Sequence, residues 1–185
     1  GSLFVKPQHR ASGVGRALAQ ARYMLMAAAP ERFGERVISE LRGFITPDGV
    51  SPFFEHLCRP FFRMSFDEAD RLSAVSDNQF IVDLMPKHPI YVDLLPQEAR
   101  DAIGKCHPEG EGARKLLVSE GFRYENVIDI FDGGPLMVAR RDDIATKKEA
   151  RLRPVRARLK GEGALGRMAL TGEPVEVWVG NYVLM

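Results

Sequence analysis

Cysteine is scarce in this chain. Its two cysteines, Cys58 and Cys106, are too few for a disulfide framework, and no C-x-x-C pair offers zinc a ligand set. A reducing, cytoplasmic setting is expected, with both thiols as small buried residues and no metal bound. Long apolar runs are missing too: none approaches the ~20 residues that span a bilayer. Nothing at the start reads as a secretory signal, and Gly1-Ser2 has the look of a cloning or cleavage scar. Charge of one sign is likewise absent. Lys plus Arg number 26 and Asp plus Glu 25, so no global field holds the chain to nucleic acid or an anionic membrane. Basic residues gather only between Arg140 and Lys160, a run poor in apolar residues that reads as a solvated helix and linker.

What is present is the composition of a globular domain, 45% apolar and 28% charged. Leu3-Phe4-Val5 reads as a buried strand, followed at once by the polar turn Lys6 to Arg10 and an alanine-rich helix. A central strand so early suggests the C-terminal part of a longer polypeptide. Leu18, Ala21, Leu25 and Ala28 recur at helical spacing and predict the buried face of that helix, which Pro30 stops. Arg36 to Leu41 alternates as a second strand ended by Gly43. Strand, helix, strand in so short a span predicts a right-handed crossover with parallel strands.

Residues 44 to 106 read as mainly helical. Ser51-Pro52 is an N-cap with proline at the first helical position, and Ser65 with Glu68 forms a capping box. Phe53, Phe54, Phe61, Phe62 and Phe66 crowd this region as core, with the lining of a substrate channel as the sharper alternative. Further helices are expected from Pro96 to Ile103, capped by Gly104, and from Glu111 to Ser119, apolar at Ala113, Leu116 and Leu117 and closed by Gly121. A strand from Tyr124 to Phe131, the turn Asp132-Gly133-Gly134-Pro135 and a strand from Leu136 to Ala139 follow, with a last strand at Val175 to Val179.

Between the first strand and its helix stands Arg10-Ala11-Ser12-Gly13-Val14-Gly15, of the form R-x-x-G-x-G. Amides at a helix start have no helical partner, the dipole makes that end positive, and two missing side chains let a diphosphate approach. Arg10 and Arg16 add charge-assisted donors. A dinucleotide-binding unit is disfavoured, because the third glycine and an acid-ended second strand are absent. A P-loop would need Gly-Lys-Ser/Thr, which is also absent.

This order of parts resembles the core of the GNAT acyltransferase superfamily, in which such a loop holds the pyrophosphate of acyl-CoA. Glu111 to Phe122 (EGARKLLVSEGF) resembles the later helix of that superfamily, and about 44–106 is then an insertion. A narrower resemblance lies in uninterrupted strings: LFVKP from Leu3, YMLMA from Tyr23, ELRG from Glu40, GVSPF from Gly49, LMPKHPIY from Leu84, CHP from Cys106 and GFRYENVIDIFDGGP from Gly121. These are similar to the arginine N-succinyltransferase family, from residue 3 to about residue 150. The resemblance implies an α/β (α+β) fold, a GNAT-like mixed sheet flanked by helices that lacks its N-terminal strands in this chain. Residues 1–150 would form the partial acyltransferase domain and 151–185 a basic linker with a small β extension.

The resemblance also implies an activity, transfer of succinyl from succinyl-CoA to the α-amino group of L-arginine. No bound cofactor is implied, only succinyl-CoA as cosubstrate. His107, in the H-P pair before the late helix, matches the family's proton donor, and Leu3 matches a residue assigned to succinyl-CoA. Val5, Arg10, Gly13, Val14, Gly15 and Arg16 complete the expected coenzyme set. His88, the rival to His107, and Tyr91 are assigned to substrate. Glu40, Asp129 and Asp132 are candidate forks for a guanidinium, and Lys87 or Arg123 candidate cations for the succinyl carboxylate. His9 and His56 read as surface or capping residues. The expected partners are an N-terminal chain or segment of the same enzyme, within an oligomer. A relative acting on another amine such as ornithine, and a noncatalytic subunit, remain open.

Overall fold

The computed structural model describes residues 3–10, 13–76, 78–154, 176–179 and 183–184. Helix α1 (Val14–Ala28) comes first, and Pro30 ends it in a 3-10 turn, Pro30–Arg32. Strand β1 (Arg36–Glu40) follows. A helical run then begins behind Ser51, whose Oγ accepts from the Phe54 amide at 3.3 Å. It widens into a π turn at Phe54–Cys58 before α2 (Arg59–Phe62). Pro60 explains the widening: it has no N–H and crowds the carbonyl four residues back, so the Arg59 amide bonds Phe54 O, five residues back. Helix α3 (Phe66–Val75) starts in the expected capping box, with Ser65 N–H donating to Glu68 Oε2 (2.8 Å) and Glu68 N–H to Ser65 Oγ (3.3 Å). Helices α4 (Gln79–Leu84), α5 (Gln97–Ala102) and α6 (Glu111–Ser119) lead to β2 (Arg123–Ile128) and β3 (Pro135–Arg140). Helix α7 (Ala145–Glu149) precedes β4 (Arg151–Pro154), β5 (Glu176–Val179) and β6 (Val183–Leu184).

The α/β class is borne out, with one sheet in the order β1-β3-β2 and a second, β4-β5-β6. In the first, β2 and β3 are antiparallel, and β1 is antiparallel to β3, since Leu41 N–H donates to Pro135 O and Arg141 N–H to Glu35 O. The parallel crossover expected between residues 3–5 and β1 is therefore corrected. Leu3 to Val5 makes no ladder among the described residues, and Phe4 is 70% exposed. An apolar triplet is a strand only when neighbours take up its amides, and composition cannot supply the neighbour.

The chain divides into two compact units, residues 1–37, 119–121 and 139–185, and residues 38–118 and 122–138. The second has its core in the phenylalanine cluster expected there: Phe53, Phe54 and Phe62 are buried with Leu57 and Cys58. Phe54 meets Phe66 edge-on, centroids 5.2 Å apart at 88°. Phe61 departs from the expectation and stays exposed. On α6 Leu117 is buried but Ala113 is exposed, because one turn of contact is enough to seat so short a helix.

In the first unit the buried face of α1 is not the predicted one. Ala19, Gln20, Tyr23, Met24 and Ala27 are buried, whereas Leu18 and Leu25 are about half exposed and Ala28 is exposed. A polar anchor turns the helix. The buried carboxylate of Glu120 accepts from Gln20 Nε2 (2.8 Å), Thr146 N (2.9 Å) and Thr146 Oγ1 (2.8 Å), and an unpaired carboxylate in the interior would cost far more than two exposed leucines. The basic run departs in part from a solvated helix and linker: Ala145–Glu149 is helical, but Thr146 is buried between buried Ile144 and Ala150, and residues 151–154 are strand. Residues from 155 to 175 lie outside the described residues, as do Gly1 and Ser2.

Candidate functional site

The glycine loop belongs to the first unit. Gly13 caps α1 with φ +82°, a left-handed conformation that glycine adopts without a Cβ penalty. The first helical bond runs from the Ala17 amide to Gly13 O, so the amides of Val14, Gly15 and Arg16 have no helical partner. Among the described residues no side chain caps this end. A Cβ on Gly15 would meet Val5 Cγ2 at 3.7 Å, which seats Val5 beside the helix mouth. Arg10 Nε donates to Val5 O at 3.1 Å, and its guanidinium lies 5.7 Å from the centroid of the Phe4 ring. Val5 and Arg10 thus stand by the helix end formed by Gly13, Val14, Gly15 and Arg16, with Leu3 two residues from Val5 along the chain; Ala11 and Ser12 lie outside the described residues.

His107 belongs to the second unit, where it caps the 3-10 turn Pro108–Gly110 just ahead of α6. Its amide donates to Arg42 O (2.8 Å), beside an antiparallel bridge between Gly43 and Cys106. Its half-buried ring accepts from the Glu109 amide at Nδ1 (3.2 Å), so the neutral ring carries its proton on Nε2. The neighbouring Cys106 thiol donates to Glu111 Oε1 at 3.1 Å, and burial, then that acceptor, pushes its pKa up to about 11. A thiol so held is no nucleophile near neutral pH. Burial similarly pushes Cys58 up to about 12.

A cavity of about 490 Å³ opens in the same unit. Phe53, Leu57, Met85, Ile90, Ile128 and Ile130 supply most of its apolar wall, and His88 and Asn126 its polar groups. Asn126 sits at φ +58° inside a bulge of β2: the register runs from Tyr124 opposite Met137 to Ile128 opposite Pro135, so β2 spends two more residues than β3. Tyr91, assigned to substrate with His88, is 78% exposed and is not part of the lining.

The candidate charged partners fare differently. Asp132 is buried and accepts from the amides of Gly43 (2.7 Å) and Gly134 (2.8 Å), and Asp129 Oδ1 accepts from Phe131 N (2.6 Å) and Asp132 N (3.3 Å). Asp132 has both oxygens spent on backbone amides, one in the turn that joins β2 to β3 and one at Gly43, which corrects its reading as a guanidinium fork, and Asp129 gives Oδ1 to the same turn. Glu40 stays exposed. Lys87 donates to Val82 O and Arg123 pairs with Glu125, and neither lines the cavity. His56 pairs with Glu98 at 2.6 Å, in keeping with its surface reading. Asn126 was not singled out by sequence; the available signal was an asparagine, a residue depleted in strands, inside an apolar strand pattern.

Among known proteins, the family described as arginine N-succinyltransferase beta subunit (AstA) matches residues 1–146. Enzymes of two Escherichia coli strains, each named arginine N-succinyltransferase, are 46% identical over 151 residues, 82% of this chain and 44% of theirs. A solved structure titled arginine/ornithine succinyltransferase subunit AI, from Pseudomonas aeruginosa, superposes with a TM-score of 0.74 at 35% identity, over 83% of this chain and 43% of that one. The chain thus spans less than half the length of these relatives. Among the described residues no helix is long and apolar enough to cross a membrane, and none of the His, Cys, Asp and Glu residues cluster as a metal site.

Proposed function

This chain belongs to the arginine N-succinyltransferase family, and from that membership we propose that it carries the coenzyme loop and the proton-handling histidine of an enzyme that moves succinyl from succinyl-CoA to the α-amino group of L-arginine. The observation that carries the reading is the mouth of α1, where two glycines stand and three amides have no helical partner. Such an end suits the diphosphate of a coenzyme A thioester. The strand order β1-β3-β2 supports reading the sheet as the later part of a GNAT-like fold.

Forming an amide from an amine and a thioester requires that the ammonium lose a proton, the tetrahedral oxyanion be stabilised and the thiolate leave. One proton of the α-ammonium goes to solvent, and a second passes from the amine to the His107 ring, which gives up the Glu109 contact at Nδ1. The imidazolium so formed delivers its Nε2 proton to the departing sulfur and returns to the neutral state. Backbone amides at Leu3 to Val5 are assigned to the thioester. His107→Ala in the complete enzyme is expected to cut turnover ~10²–10⁴-fold with little change in coenzyme affinity; near-normal turnover would remove His107 from the chemistry. For the loop, Gly15→Ala is a cleaner probe than any change at Gly13, because an added Cβ meets only an ordinary contact with Val5 and no left-handed strain. Calorimetry is expected to show coenzyme A binding weakened about tenfold, ~1.4 kcal/mol, and unchanged affinity would sink the loop assignment.

A second reading, a partner-dependent subunit, draws on the family's description as a beta subunit and on a solved neighbour titled as a subunit. The same neighbour is titled for arginine and ornithine, so ornithine is the alternative acceptor. Assaying a panel of amines with succinyl-CoA separates these acceptors.

A further inference from the structure

Two irregularities of backbone converge on one cavity. Leu57 reaches it from the π turn Phe54–Cys58, and Asn126 from the bulge of β2, where an asparagine holds φ +58°. Neither is the cheapest backbone. The π turn widens a helix, and a non-glycine residue in the left-handed region costs of order 1–2 kcal/mol. Bulges and π turns recur where a side chain has to be aimed. Here the bulge places Asn126 on the wall of a cavity that is otherwise apolar, and His88 is the other polar residue in the lining.

The chemistry of the wall selects its ligand. Among the described residues it holds no carboxylate, so a guanidinium or ammonium inside it would have no counter-charge. It holds two groups that donate hydrogen bonds, the Asn126 amide and the His88 ring, which becomes a cation on protonation. Apolar sides with donors among them suit a short methylene chain ending in a carboxylate. The succinyl group has that form: two methylenes and a terminal carboxylate beyond the reacting carbonyl. Lys87 and Arg123, the cations sequence offers for this carboxylate, do not line the cavity.

We propose that this cavity is the acyl-selecting subsite, in which His88 and Asn126 bind the succinyl carboxylate and the Leu57, Ile128 and Ile130 side chains flank its methylenes. The proposal rests on the succinyl-transfer reading above and names residues for its acyl specificity. The test compares succinyl-CoA with butyryl-CoA, which replaces the carboxylate by a methyl group at equal chain length. In the complete enzyme, His88→Leu and Asn126→Gly are each expected to lower the ratio of kcat/KM for succinyl-CoA over butyryl-CoA by about ten- to hundredfold. Glycine at 126 keeps the left-handed backbone while removing the amide. A ratio is the readout because a loss of folded enzyme lowers both donors alike. Val92→Trp, which adds bulk at the cavity's exposed side, is expected to depress succinyl transfer while desulfo-coenzyme A still binds. An unchanged ratio in both polar variants overturns the subsite and leaves the function standing. If the unaltered enzyme transfers no succinyl group, the function falls and the subsite with it.

Discussion

Asp132 keeps a carboxyl group in the interior because two amides are aimed at it. A Cβ on Gly43 would lie 2.1 Å from Asp132 O, so only glycine lets the two backbones come this close. The arrangement steadies the segment whose Arg42 carbonyl accepts from the His107 amide. Burial outweighs the two hydrogen bonds and holds the Asp132 pKa above the ordinary 3.8. The folded protein therefore keeps this proton over a pH interval in which the unfolded chain has lost it. The corresponding stability is fully present below about pH 3.8 and is lost as pH rises through the higher native value. Asp132→Asn sets an N–H against a backbone donor and should cost ~1–3 kcal/mol. In urea melts the gap between the native protein and this variant is expected to narrow with rising pH across that interval; a constant gap would mean that Asp132 is not shifted. The string IDIFDGGP announces a turn from its glycines and proline. That its second aspartate faces inward depends on Gly43, 89 residues away, and no local pattern carries that.

At the level of elements, β1, α5, α6 and β3 were readable to within about a residue, and the end of α1 and the start of α3 as well, from caps, breakers and period, because each is a local free-energy choice. Strand β2 instead stops at Ile128, short of the expected Phe131, because Asp129 takes the Phe131 and Asp132 amides into the turn. Which face of α1 is buried was not readable in the same way. Its apolar residues surround more than one face, and the buried Gln20–Glu120–Thr146 contacts pick the orientation. Met24, fully buried against Ala27 and Ala150, should lose ~2–5 kcal/mol when changed to Ala. Leu25→Ala, at a half-exposed position on the same helix, should cost much less. Equal losses in paired thermal melts would restore the face predicted from spacing. The π turn was half legible: Pro60 marks a disturbance, but a kink, a break or a widened turn all satisfy a missing donor.

For the whole molecule, the partner-dependent reading makes a definite statement about mass. The protein isolated intact from its native source is expected, by native mass spectrometry, to carry a second polypeptide or further copies of the chain. A single copy alone, at every concentration tested, would rule out the assembly. The sequence by itself determined the α/β class, the phenylalanine core, the capped helices, the glycine loop at the mouth of α1 and, through its uninterrupted strings, the family. Those follow from residues close in the chain, where spacing, caps and backbone preference act directly. Only the tertiary structure decided that residues 3–5 lie outside the ladder of β1, that Asp129 and Asp132 serve a turn, and that Asn126 and His88 share a cavity. Each of those depends on which distant group takes up a backbone amide or a buried charge, and that is settled when the chain packs.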